Sequence, residues 1–85
     1  MLISRLSVGL SNGLQARNTA LFVAIARTFR SDIIITTRGK TSNVKKMMKV
    51  MDLAVTDGDK VTLFVNGDDE QAAICKLKNY LLGME

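Results

Sequence analysis

Residues 11–19, Ser11-Asn12-Gly13-Leu14-Gln15-Ala16-Arg17-Asn18-Thr19, stand between two different hydrophobic periods. Before them, Leu2, Leu6, Val8 and Leu10 share one parity, broken once by Ser4. Alternation of this kind marks a half-buried strand. After Arg17 the spacing becomes helical, with Phe22, Ile25, Ala26 and Phe29 on one face. A strand therefore hands over to a helix through a loop that contains Gly13, and Gln15, Ala16 and Arg17 open the helix. Backbone N–H groups at a helix start lack intrahelical partners and carry partial positive charge. With Arg17 in the first turn, Ala16 and Arg17 make a candidate anion site.

Outward from this junction, the first strand covers about residues 2–9 and the first helix about 16–28. The β-branched run from Asp32 to Thr37 reads as a second strand. Thr37-Arg38-Gly39-Lys40 reads as a tight turn, with a short third strand near Lys40 to Asn43. A short second helix follows at about 46–53, with Val50, Leu53 and Ala54 toward a core and Met47 at its margin. After the Asp57-Gly58-Asp59 turn, Val61, Leu63 and Val65 alternate inward and Phe64 points the other way. Asp68 with Gln71 resembles a capping box at the start of a last helix, which runs to about Leu82. Ala73, Ile74, Leu77, Tyr80 and Leu81 form its buried face. So few strands must be covered by helices, giving a two-layer α+β sandwich in the order β-α-β-β-α-β-α. Pattern alone also admits a ferredoxin-like sandwich with a trailing helix.

The chain has 85 residues, enough for one small domain over residues 1–85. It contains no histidine, which removes an imidazole base, an imidazole metal ligand and a phosphohistidine together. The single cysteine, Cys75, excludes an internal disulfide framework and a cysteine metal cluster. No metal or cofactor is expected. Lone thiol chemistry, an absent signal-peptide pattern and no long apolar run imply a cytoplasmic protein whose native start is Met1. Charge is uneven: residues 1–49 carry nine Lys/Arg against Asp32, whereas residues 50–85 carry seven acids against Lys60, Lys76 and Lys78. Such a split points to an acidic partner surface or an anionic ligand.

The segment Gly13-Leu14-Gln15-Ala16-Arg17-Asn18-Thr19-Ala20-Leu21-Phe22-Val23 resembles the signature of HPr, the histidine-containing phosphocarrier of the bacterial sugar phosphotransferase system. Gly39-Lys40, Asn43, Met47-Met48, Met51, Leu53-Ala54-Val55, Gly58, Val61-Thr62-Leu63 and Gly67-Asp68-Asp69-Glu70 fall at the same family's spacing. The resemblance implies an open-faced sandwich of four antiparallel strands with three helices on one face. It also implies that Gln15 stands where the family's phosphorylated histidine would be, and Lys46 where many members carry a regulatory serine. A histidine nitrogen there accepts a phosphoryl group from enzyme I. A carboxamide nitrogen has its lone pair delocalised into the carbonyl and cannot do so. Gln at this position resembles the catabolite-repression HPr-like branch, although Lys46 departs from that branch as well. Asn18 replaces a proline common in the signature, which implies a more mobile Gln15 loop.

The expected function is thus that of a regulatory or adaptor protein rather than an enzyme. The resemblance implies a docking face of Gln15, Arg17, Ala20, Lys45, Lys46, Met47, Met48, Lys49 and Met51, with Arg27 nearby. Exposed methionines suit adaptable contacts. Expected partners are proteins, such as a transcriptional regulator or phosphotransferase-system components, engaged by a monomer or weak dimer. A carrier that uses Ser11 or Thr19 as acceptor is one alternative. A basic anion or nucleic-acid binder is another, weakened because only Phe64 offers an aromatic on the open face. Cys75 is expected on the exposed side of the last helix.

Overall fold

The computed structural model describes residues 1–84. Seven elements follow in order: β1 Leu2–Ser7, α1 Ala16–Ala26, β2 Asp32–Thr37, β3 Lys40–Asn43, α2 Met47–Met51, β4 Lys60–Asn66 and α3 Glu70–Leu81. The strands form one sheet in the order β1-β4-β2-β3, with every neighbouring pair antiparallel. Three helices cover one face, as the resemblance implies. The sheet's register aligns the inward residues, with Leu63 opposite both Ser4 and Ile35, and Val65 opposite both Leu2 and Ile33. Ser4 interrupts the alternation at a half-buried edge position and leaves the register intact.

Val61, Leu63, Val65, Ile33 and Ile35 meet Phe22, Ala26, Val50, Leu77 and Leu81 in one core. Burying a large apolar side chain contributes about 1.5–3 kcal/mol, so Phe22, Leu77 and Leu81, all fully buried, anchor α1 and α3. Phe22 also stacks on Tyr80, with ring centroids 6.0 Å apart and planes 17° from parallel. On the other face, Ile3, Phe64 and Ile34 lie in one row across β1, β4 and β2.

Element ends differ from the sequence reading for local reasons. β1 stops at Ser7 because the Gly9 N–H turns to the Leu81 carbonyl, 2.8 Å away. α1 stops at Ala26, and Thr28 and Phe29 continue only as a tight turn, donating to Ile25 and Ala26. Ala54 is exposed rather than in the core, because α2 ends at Met51 and the backbone at Ala54 turns left-handed with φ +51°. At α3 the capping pair is displaced. Glu70 accepts from the Gly67 N–H at 3.2 Å, whereas Asp68 pairs with Arg30 and Gln71 takes no part.

The β2–β3 turn places both Arg38 (φ +48°) and Gly39 (φ +76°) in the left-handed region. This is the two-residue turn that matches strand twist. A non-glycine residue there costs roughly 1–2 kcal/mol. Arg38 offsets that cost through its guanidinium, which bonds the Asp59 carboxylate at 2.5 Å and the carbonyls of Leu53 and Ala54. The turn is thereby tied to the segment that leads into β4.

Candidate functional site

Gln15 occupies the N-cap of α1 in an extended conformation (φ −81°, ψ 177°), and its side chain makes no capping bond. Its amide is exposed, as are Ala16, Arg17 and Ala20. Among the described residues Arg17 joins no ion pair, while the acids Asp59, Asp68 and Glu70 of the second half are engaged by Arg38, Arg30 and the N-terminus. Positive charge at the start of α1 therefore remains uncompensated.

The loop that leads to Gln15 is held firmly. The Asn18 amide donates to the carbonyls of Ser11 (3.0 Å) and Gly13 (2.7 Å). Asn18 thus braces the loop, contrary to the mobility inferred from the missing proline. Its own carbonyl accepts from the Tyr80 hydroxyl at 2.9 Å. Burial raises the Tyr80 pKa further, so the hydroxyl remains a donor at neutral pH. Leu14 donates to the Val55 carbonyl at 2.9 Å. Gly13, at φ +56°, lies so close to the Val55–Thr56 backbone that a Cβ would stand 2.6 Å from the Thr56 Cα. Thr19 is fully buried, and its hydroxyl donates to the Leu14 carbonyl at 2.7 Å. That hydroxyl is sealed from any incoming phosphoryl donor, which removes Thr19 as an acceptor.

α2 packs against α1. Met48 is 69% exposed, whereas Met47 and Met51 are half-buried. The three sulfur side chains thus form a graded surface: two partly seated, one projecting. Lys46 caps α2 and, like Lys49, is exposed. Lys45, expected on the docking face, is engaged elsewhere. Its ammonium donates to the Phe29 carbonyl at 2.7 Å, and its own carbonyl accepts from the Arg27 guanidinium at 3.0 Å. Lys45 therefore satisfies an orphan carbonyl just past the end of α1, where a cation is favourable, and projects no charge into the Met48 surface. Arg27 is brought beside the start of α2 by the same exchange.

Leu21 escaped the sequence reading. It is 52% exposed, and Arg17, Ala20, Leu21 and Ala24 are all exposed at i, i+3, i+4 and i+7 along α1. That spacing marks one continuous helix face. The signal was present, because these positions lie opposite the Phe22–Ala26 stripe. The small pocket between Gln15 and α2 is lined by Leu14, Gln15, Ala16, Met51, Ala54 and Val55. It joins the helix start to Met51. Cys75 is exposed, with Asn79 Nδ2 3.9 Å from its sulfur. Among the described residues there is no His/Cys/Asp/Glu group that could hold a metal, and no helix is long and apolar enough to cross a membrane.

Comparisons with known proteins agree with this geometry. Residues 4–82 match the family described as PTS HPr component phosphorylation site. The HPr-like protein Crh of Bacillus subtilis is 46% identical over 81 residues, covering 95% of both chains. A crystal structure of the phosphocarrier protein HPr from Bacillus anthracis superposes with a TM-score of 0.92 at 42% identity, covering 94% of this chain and 95% of that one. The crystal structure of Bacillus subtilis Crh, described as a swapped dimer, matches with a TM-score of 0.79 at 44% identity, covering 99% and 97%.

Proposed function

Since the chain belongs to the HPr family, and as such is not itself an enzyme, we propose that it is a non-carrier regulatory or adaptor member of the phosphotransferase system. It recognises proteins through the start of α1 and the methionines of α2. The observation that carries this reading is the exposed carboxamide of Gln15 at the α1 N-cap, beside a surface that remains open. Phosphoryl transfer needs a nucleophilic lone pair at that place, and the amide has none to give. Recognition needs only shape and charge. Those are supplied by Gln15, Arg17, Ala20 and Leu21 of α1, with Met47, Met48, Met51, Lys46 and Lys49 of the α2 segment.

Arg17 and the uncompensated helix start favour an acidic patch or a bound anion on the partner. Lys46 lacks the hydroxyl that a regulatory kinase would modify, so binding does not wait on phosphorylation at this position. Partners of this chemistry include a transcriptional regulator or another phosphotransferase component, met in the cytoplasm by a monomer or weak dimer. The swapped dimer described for the Bacillus subtilis relative bears on the second state. Met48→Asp and Arg17→Glu variants test the reading by affinity capture from native cytoplasm. Both should lose partners that the wild type retains. Identical partner sets for all three proteins would refute it.

A further inference from the structure

A second surface lies along the outer sheet edge. Lys40, Thr41 and Asn43 of β3 face Lys46, Lys49 and Asp52 of the α2 segment across an open groove of about 670 Å³. Around α2, the N-cap Lys46 and Lys49 share one side at helical spacing, Leu53 follows just past the helix end, and Met47, Met48 and Met51 share another side. The groove and the methionine surface are thus different sides of one short helix. Among the described residues β3 is the last strand of the sheet, with β2 as its only neighbour.

The Arg38-Gly39 turn closes on the Thr37–Lys40 pair, and the next pair is Thr36–Thr41. Two-residue turns close on a hydrogen-bonded pair, and the antiparallel ladder then alternates. The N–H and C=O of Thr41 consequently face away from β2, toward the groove. The edge ends one residue beyond Ser42. There the Asn43 carbonyl accepts from the Lys46 N–H at 3.1 Å and its side-chain oxygen from the Lys45 N–H at 2.9 Å. Among the described residues Lys40, Lys46 and Lys49 join no ion pair. Lysines on an edge strand repel neutral or basic strands, including a second copy of the same edge. An acidic strand meets the opposite bias, with three lysines against Asp52.

We propose that this groove receives an extended acidic peptide segment of a partner protein. The segment adds to β3 through the Thr41 backbone and sets its carboxylates against Lys40 and Lys49. Strand addition takes affinity from main-chain bonds and specificity from alternate side chains, which an open trough permits and a small ligand would not fill. The groove shares Lys46 and Lys49 with the surface proposed above but uses none of Met47, Met48 and Met51, so a change at Met48 separates the two.

The test uses the isotopically labelled full chain and three probes. These are a capped peptide of about eight alternating Glu and Thr residues, long enough to overlap the strand, its Gln-for-Glu counterpart, and tripolyphosphate. The acidic peptide should shift the Thr41, Ser42 and Lys49 amides and slow hydrogen exchange at the Thr41 N–H. The Gln peptide should bind about tenfold or more weakly, as should the acidic peptide to a Lys40→Glu/Lys49→Glu variant. Met48→Asp should leave its binding unchanged. The proposal is overturned if Thr41 exchange is unaltered, if tripolyphosphate reproduces the same response, if the double variant binds equally well, or if Met48→Asp abolishes binding.

Discussion

Replacing Asn18 by alanine should destabilise the protein by about 1–3 kcal/mol. The Asn18 amide makes two bonds to the loop before Gln15, at 2.7 Å to Gly13 and 3.0 Å to Ser11. Each such bond contributes about 0.5–1.5 kcal/mol net. For a domain of this size, 1 kcal/mol moves the melting temperature by about 4–8 °C, so the alanine variant should melt roughly 5–20 °C lower. Proline, the residue common in the family signature, loses the same two bonds but regains about 0.4–1 kcal/mol by restricting the unfolded chain. Its ring is tolerated in the first turn of a helix. The expected order of stability is therefore Asn18, then proline, then alanine, measured by urea denaturation with one common slope. An alanine variant within about 0.3 kcal/mol of wild type would show that the two bonds brace nothing. Hydrogen exchange of the Gly13 and Leu14 amides should quicken in the same order.

Other perturbations follow from the same geometry. Gly13→Ala combines a left-handed backbone with a Cβ at 2.6 Å from Thr56 Cα and should cost about 2–4 kcal/mol by denaturant unfolding; a loss below about 1 kcal/mol would mean that the contact yields freely. Ala54→Gly removes a left-handed alanine (φ +51°) and should raise the unfolding free energy by up to about 1 kcal/mol, seen as a higher urea midpoint. Asp69 titrates at about 2, held down first by the Ser31 hydroxyl and then by the Arg30 N–H. Because the carboxylate is favoured in the folded state, its contribution is complete above the ordinary range near 3.8 and vanishes as pH falls through about 2. Unfolding midpoints should drop between those values, and the drop should be shallower in Asp69→Ala.

Much of the fold was legible because burial follows simple periods. The alternation in β4 and the helical spacing in α1 and α3 picked out Val61, Leu63, Val65, Phe22, Ala26, Ala73, Leu77 and Leu81, whereas Leu14, Val23, Val44 and Val55 joined the core without being read from any period. The ends of elements were less so, since they depend on contacts remote in sequence, such as Gly9 with Leu81 and Arg38 with Asp59. Ala54 looked like a core residue because the helical period was carried past Met51, where the backbone changes hand. At the site, the place of Gln15 at the start of α1 and the outward direction of Met48 were readable from the change of period and the helical spacing, while their docking role came from the family resemblance. Lys45 was not, because its role is set by the carbonyl of Phe29, which only the packing of α1 on α2 brings near. Asn18 gave the same difficulty: a missing proline suggested slackness, while the side chain that replaced it supplied two bonds.

The most direct measurement is the intact mass of the protein after incubation with enzyme I and phosphoenolpyruvate, run beside a histidine-bearing HPr and the Gln15→His variant. The wild type should keep its mass while the histidine-bearing control gains a phosphoryl group, and the variant should gain one too if the docking surface is preserved. A phosphorylated wild type would contradict the claim that an amide at the start of α1 ends transfer and leaves recognition.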